Sequence, residues 1–530
     1  MTSTLDPETE AQLKALRDEI DPRPRIEADG ELHAIATQAE DALIAQKAQI
    51  YQNGPSMVIP ITEEVEAAKG RTTKVARLKP VTMPVMVDYL SRNALWLKKS
   101  RGKPKPCDPP QQAASILLSR AGEWRVNRCA GIISTPTLRP DGSILSAPGY
   151  DPATRLFLAA PPTIFPIDHK PSRQQAEAAL AFLKRPLREF PFVSDADLSV
   201  ALSGLITPVV RGCIKAAPMT AVNASTPGTG KSCLMDTIAA IAIGNYCPAI
   251  SFGKTEEEAE KRIGTLMMYG QPLISIDNMN GVMYSDALCQ YIERPQAKVR
   301  KLGESTMVDI HSTSTIYCNG NNIRIGGDLI RRTILCNLNA GVERPELREF
   351  SGNPVDEILA DRARYISCAL MLVKAYITAG RPDRLRPLAS FEEWSDNVRS
   401  ALVWLGCADP VGSMLSMRAD DPVINQRQRL FATWRSVIGI GVAKAAGDIV
   451  DMAKARASDG SLVNPDLRSA IFDILKDGNE ETWAHRLGGW FGRNKLIPTD
   501  GLQLVRDFDE HAKVAKWSIA APTENGRMGE

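Results

Sequence analysis

Ser225-Thr226-Pro227-Gly228-Thr229-Gly230-Lys231-Ser232 is the stretch that decides how this 530-residue chain is read. It follows the apolar run Met219 to Ala224 and precedes the helical run Cys233 to Ile243. Strand, glycine-rich loop and helix in that order is the context a phosphate-binding loop requires. Gly228 and Gly230 let backbone amides turn toward phosphate oxygens, Lys231 reaches the terminal phosphates, and Ser232 offers its hydroxyl to Mg²⁺. Ser225 stands where the first glycine is usual, a position that needs a small residue more than a particular dihedral. Pro227, Thr229 and Cys233 complete the candidate contacts to ATP. The bland alternative, a glycine-rich turn that binds nothing, is disfavoured by the strand and helix on either side.

Working outward, Pro272-Leu273-Ile274-Ser275-Ile276-Asp277-Asn278 is a buried-strand run ending in an acid. A carboxylate at such a strand end can hold the water shell of Mg²⁺. Where many ATPases place a glutamate to activate water, this chain has Asn278, and an amide cannot accept the proton. Glu256, Glu257, Glu258 and Glu260 are alternative bases, although an acidic helix start is also favoured by the helix dipole. Thr313 to Cys318 reads as a strand ending in Asn319-Gly320-Asn321-Asn322. Asn321 is a candidate sensor of the γ-phosphate, with an Asn-Gly turn as the ordinary reading. Gly326-Gly327-Asp328-Leu329-Ile330-Arg331-Arg332 then places two arginines before the strand-like run Thr333 to Leu338. Either arginine is a candidate to reach the γ-phosphate of a neighbouring subunit. Between the acid and the sensor, two short β runs around Gly303 form a candidate hairpin carrying Lys298, Arg300 and Lys301 as phosphate contacts to DNA.

Composition restricts the rest. Hydrophobic residues make up 44% and charged residues 24% of the chain, as in ordinary globular proteins, and the length asks for several domains. With 64 basic against 62 acidic residues, nucleic-acid contacts must come from local clusters. The ten cysteines are scattered singly, which argues against a zinc ribbon or a disulfide scaffold and suits a reducing compartment. No apolar stretch approaches the ~18 residues of a membrane span, so the expectation is a cytoplasmic protein with no membrane partner.

Along the chain, residues 1–30 read as a polar lead, and 31–165 as an N-terminal α/β domain of unassigned role. That domain contains a basic, proline-rich loop from Lys98 to Pro110 and the turn signature Arg139-Pro140-Asp141-Gly142. Residues 166–345 read as the P-loop core, in which residues from about 215 to 340 alternate strand-like and helical runs, the pattern of a parallel sheet covered by helices. Leu359, Ala363, Ile366, Leu370, Val373 and Ile377 repeat at 4-3-4-3-4 spacing, one face of a long amphipathic helix in a helical subdomain spanning 346–420. Residues 425–522 give helices followed by strand candidates Leu502 to Arg506 and Val514 to Ile519, which suggests a winged helix. Arg493 and Lys495 are its candidate DNA contacts, and 523–530 form a polar tail.

Taken together, STPGTGKS, LISIDN, the basic segment before the sensor, IYCNGNN and GGDLIRR resemble, in order, the superfamily 3 helicases and the helicase halves of phage- and plasmid-type primase-helicases. The resemblance covers roughly residues 215–340. It implies an α/β AAA+ P-loop core with a parallel sheet, acting as a homo-oligomeric ring such as a hexamer. It also implies that Lys231 and Ser232 bind nucleotide and Mg²⁺, that Asp277 holds the metal, that Asn321 senses phosphate, and that Arg331 or Arg332 acts across subunits. The expected function is an ATP-dependent motor that translocates on single-stranded or forked DNA in the replication of a mobile element, with a primase or initiator as partner. A primase half is not visible, since Asp195-Ala196-Asp197 lies in a helical lead, a setting that argues against a metal-binding dyad. Two other readings stay open: an ATP-gated initiator or loader that does not unwind DNA, which Asn278 favours, and an AAA+ protein remodeller or defence ATPase with no DNA substrate.

Overall fold

In the computed structural model, five strands form the sheet that carries the glycine-rich loop. They are β1 (Met219–Ala224), β2 (Ala249–Ser251), β3 (Leu273–Met283), β4 (Thr315–Ile325) and β5 (Thr333–Leu338), and they lie in the order β2-β3-β4-β1-β5. The ladders of β1 with β4, β1 with β5 and β2 with β3 are parallel. Val222, Ile274, Ile276, Cys318 and Ile334 are buried, because helices cover both faces of such a sheet and near-continuous apolar strands satisfy both. The structure describes residues 21–67, 71–253, 255–294, 296–300, 307–419, 421–476, 479–509 and 513–522.

The described residues fall into two compact units. One comprises the chain up to Ile323 together with Asp328–Met414, and the other comprises Arg324–Gly327 with the chain from Leu415 on. In the first unit, the helix Arg173–Lys184 starts at a capping box between Ser172 and Gln175, which satisfies two otherwise orphaned backbone donors. It packs against the helix Arg362–Thr378, with the rings of Phe182 and Tyr365 4.6 Å apart. The 4-3 pattern that begins at Leu359 is divided here. Leu359 belongs to a separate short helix, Pro354–Ala360, and the long helix begins after Asp361. Its buried face also takes in Tyr365, Ala369, Leu372 and Tyr376, beyond the stripe marked by Ile366, Leu370 and Val373.

Residues 21–165 build their own apolar cluster around Ile26, Leu43, Leu90, Trp96 and Leu117. They are also hydrogen-bonded to the sheet-bearing part. Thr73 Oγ1 donates to the carbonyl of Tyr246 at 2.7 Å, and the Leu78 amide donates to that of Tyr269 at 2.7 Å. Most of the basic stretch read as a loop, Lys98 to Pro110, is a β-hairpin instead, Leu95–Ser100 against Lys103–Pro106, and residues 107–110 are irregular. Proline tolerates this position because its missing donor faces away from the partner strand at a sheet edge. Asp141-Gly142 does turn the chain, between the paired strands Thr137–Leu138 and Ile144–Leu145.

The second unit holds the helices Pro422–Val437, Ala446–Lys454, Pro465–Leu475 and Trp483–Asn494. Beside them is an antiparallel sheet of Lys444–Ala445, Val514–Ala520 and Gln503–Asp509, with Val514–Ala520 in the middle. Trp434, Phe491 and Trp517 pack edge-on and tilted through its core, with Phe491 5.6 Å from Trp434 and 5.3 Å from Trp517. Among the described residues no helix is long and apolar enough to cross a membrane.

Candidate nucleotide-binding site

The loop between β1 and the helix Lys231–Ala242 has the backbone its glycines foretell. Gly228 has φ +78° and Gly230, which caps the helix, φ +111°, values that side chains with a Cβ rarely adopt. Thr229 is buried, and its hydroxyl donates to the carbonyl of Thr226 at 2.7 Å, tying the loop's two ends together. Ser225 and Pro227 are exposed, while Ser232 and Cys233 lie half-buried in the first helical turn. The loop therefore presents amide donors and a helix N-terminus to one place, the arrangement that attracts phosphate.

Lys231 is buried, and its Nζ donates to Asn321 Oδ1 at 2.7 Å and to the carbonyl of Thr226 at 3.3 Å. Burial pushes the ammonium's pKa down from its ordinary 10.5, and the charge of Asp277 works against that. Asn321 reaches the lysine because it is the register partner of Ala224, the last residue of β1. Asp277 lies on β3 opposite Ser251 of β2. Lys231, Asn321 and Asp277 thus converge from three elements. The donor set fits the two groups it implies: amides and an ammonium for phosphates, and a hydroxyl and a carboxylate for Mg²⁺.

Two strand ends continue where the sequence suggests a stop. β4 runs through Asn319-Gly320-Asn321-Asn322 to Ile325 as one strand, bending at Asn322, which has φ +51°. Gly320 is required there by close approach, since a Cβ on it would lie 1.9 Å from the carbonyl oxygen of Met279 on β3. β3 likewise passes Asp277 and continues to Met283, bending at Asn278, which is exposed and has φ +59°. Asparagine tolerates that left-handed conformation better than glutamate, so the backbone supplies a reason for the residue that stands after the acid. Of the alternative bases, Glu256 accepts from the hydroxyl of Ser285 at 2.7 Å and from the Ala287 amide at 3.1 Å, and Glu257 pairs with Lys261 at 2.8 Å.

The two arginines differ. Arg332 is buried, with Nε donating to Glu293 Oε2 at 3.1 Å and Nη1 to the carbonyl of Asp328 at 2.9 Å. The Arg331 side chain stays 41% exposed, in contact with Asp328 and 3.5 Å from Glu293. Arg332 directly precedes Thr333, whose register partner is Met219, the first residue of β1. At ~3.3 Å per strand residue, that end of the sheet is roughly 16 Å from Ala224 and the loop. Glu293 lies 39 positions before Arg332, and no linear spacing signals the pairing.

Of the basic candidates, Lys298 is exposed on the strand Gln296–Arg300, opposite Asp309 of Met307–His311. Arg300 ends that strand, and Lys301 lies outside the described residues. Arg493 and Lys495 are exposed at the end of the helix Trp483–Asn494. Asp197 is a buried structural carboxylate, accepting from the Ser194 hydroxyl at 2.6 Å and the Asn337 amide at 2.6 Å. One feature without a sequence signal is a cavity of 380 Å³ beside Gly228 and Gly230, lined in part by Phe190, Tyr246 and Arg348. The buried Nη1 of Arg348 has no hydrogen-bond partner there.

No protein-family model and no curated protein matches the chain. Among solved structures it is similar to the C-terminal region of NrS-1 in an apo form, at 12% identity over 91% of this chain and 99% of that one, with a TM-score of 0.33. It is also similar to the SCCmec type IV Cch, described as an active helicase, at 12% identity over 90% and 98% with a TM-score of 0.30. A third match is JCV helicase, at 12% identity over 50% and 72% with a TM-score of 0.20.

Proposed function

We propose that this chain is an ATP-dependent motor of the AAA+ superfamily 3 type that translocates on DNA as a homo-oligomeric ring, serving replication of a mobile element. The observation that carries this reading is the separation of Arg331 from its own Lys231. The arginine sits at the far end of the sheet from the loop it would have to serve, which supports a role in a neighbour's site rather than its own. ATP lies on the amides of the loop, with its terminal phosphates at Lys231. Asn321 positions that ammonium and is released to the γ-phosphate when the lysine turns to it. Ser232 and Asp277 would hold Mg²⁺, which would offset phosphate charge when bound. Arg331 is the arginine that acts across the interface, and Arg332 with Glu293 fixes the segment that carries it.

The DNA contacts of this reading are Lys298 and Arg300 on the hairpin and Arg493 and Lys495 on the winged-helix-like unit, with a primase or initiator as a further partner in the cytoplasm. Stimulation of ATP hydrolysis by single-stranded DNA, together with displacement of a strand from a fork, tests it. Hydrolysis indifferent to DNA sinks the motor and leaves a protein remodeller. An ATP-gated initiator or loader is the second reading, and Asn278 favours it, because no carboxylate follows Asp277. DNA-stimulated hydrolysis without strand displacement is its signature.

A further inference from the structure

We propose that the hairpin Leu95–Ser100/Lys103–Pro106 is a nucleic-acid contact of its own, gripping the phosphodiester backbone at a surface separate from the nucleotide site. Its antiparallel register sets Lys98 opposite Lys105 and Ser100 opposite Lys103, and Arg101 (φ +51°) with Gly102 (φ +77°) makes the turn. Paired residues of an antiparallel ladder share a face, as do residues two apart. Lys98, Lys103 and Lys105 therefore stand on one face with Arg101 at the tip, all exposed. Lys99, on the other face, is the lysine that finds an acid, Glu27 at 3.3 Å. Asp29 accepts from the Lys99 amide at 2.9 Å. Among the described residues no ion pair is formed by Lys98, Arg101, Lys103 or Lys105.

Like charges directly across a ladder destabilise it, so the Lys98–Lys105 pair carries a local cost. Protection of a sheet edge by lysine and proline accounts for Lys103, Pro104, Lys105 and Pro106 on the outer strand. It does not account for Lys98, which lies on the inner strand between Arg25–Glu27 and Lys103–Pro106. A polyanion across this face removes the repulsion. Lys103 and Lys105 stand roughly 6.8 Å apart along the strand. The platform is firmly seated. Trp96 is buried with its Nε1 donating to the carbonyl of Leu90 at 2.9 Å, and the Cys107 amide donates to the carbonyl of Trp96 at 3.0 Å.

The test uses the full chain without nucleotide and measures fluorescence anisotropy of labelled single-stranded and duplex DNA through a salt series. Wild type is set beside the triple variants Lys98→Glu/Lys103→Glu/Lys105→Glu and Lys98→Gln/Lys103→Gln/Lys105→Gln. Loss of three phosphate contacts reduces the slope of log K against log salt by roughly 2 to 3 and weakens binding tenfold or more at low salt. Basal ATP hydrolysis without DNA stays at the wild-type value in both variants, which separates failure of the hairpin from failure of the motor. The glutamine variant guards against a fold lost to three acids. An unchanged slope and affinity, a wild type with no DNA affinity, or a loss seen with phosphatidylserine vesicles in place of DNA overturns the proposal.

Discussion

The ammonium of Lys231 donates a 2.7 Å hydrogen bond to the side-chain oxygen of Asn321, ninety positions downstream. Two motifs far apart in sequence are one site because β4 lies beside β1 with Asn321 level with Ala224. Lys231→Ala therefore removes turnover, because a methyl group cannot balance the charge on the terminal phosphates. Asn321→Ala keeps nucleotide binding within a few-fold and lowers turnover by on the order of a hundredfold, the usual cost of one transition-state donor. Titration with a fluorescent ATP analogue beside steady-state hydrolysis separates the two effects. An Asn321→Ala protein with wild-type turnover removes it from the site.

The strand end at Asp277 and Asn278 makes a second, more discriminating pair. Asp277→Asn abolishes Mg²⁺-dependent hydrolysis. Asn278→Glu supplies a base but places glutamate at φ +59°, a strain of about 1 kcal/mol, so it melts slightly lower while turnover holds or rises. Asn278→Gly relieves the same backbone and provides no base. If the glycine variant matches the glutamate variant in turnover, a missing base is not what limits hydrolysis.

Arg331→Ala should bind ATP through its own Lys231 and fail to hydrolyse it. Mixed with Lys231→Ala subunits, it should recover part of the lost rate, because some interfaces then combine one intact half from each partner. Hydrolysis measured against mixing ratio, beside the mass of the ATP-bound particle, gives the answer. A monomer whose Arg331→Ala variant hydrolyses normally rules out the ring.

Arg332 has a stability role that pH exposes. The hydrogen bond from Arg331, with help from Arg332, holds Asp328 below its ordinary 3.8. Burial pushes Glu293 up, but hydrogen bonds from Ser390 and Arg332 outweigh it and hold the carboxyl below 4.5. Both pKa values are depressed on folding, so their contribution is full above the unfolded values and is lost as pH falls through the folded ones. Arg332→Ala should lower the melting temperature at neutral pH and flatten its fall as pH drops below about 4.5, relative to wild type. Parallel acid limbs in calorimetry contradict this assignment.

Gly320 has the most restrictive setting of any residue near the site. A Cβ there meets the Met279 backbone at 1.9 Å, so Gly320→Ala must pry β3 from β4, at a cost of about 3 kcal/mol or more. Gly447→Ala, in a helix with nothing within 4 Å of the added carbon, should be neutral or stabilising. Denaturant melts of the two variants compare them directly, and equal midpoints refute the close approach.

The sequence by itself determined the glycine-rich loop and its backbone, because that feature is local: strand, glycines, lysine and helix are contiguous, and their backbone needs are written in residue types. It also marked the acid of β3 and the strands around it, since buried parallel strands are apolar throughout. Only the tertiary structure decided the remainder. Asn-Gly at 319 and 320 is a turn signal in isolation and a strand crossing here, because the second strand that excludes a Cβ arrives from forty residues away. Arg331 and Arg332 are adjacent in the chain yet one is buried on Glu293 and the other exposed, a division set by a helix end that no sequence period links to them. The basic stretch at 98 to 106 carries the prolines of a loop. Pairing with Leu95–Ser100 makes it a hairpin, and pairing is a property of two segments, which one segment's composition cannot express.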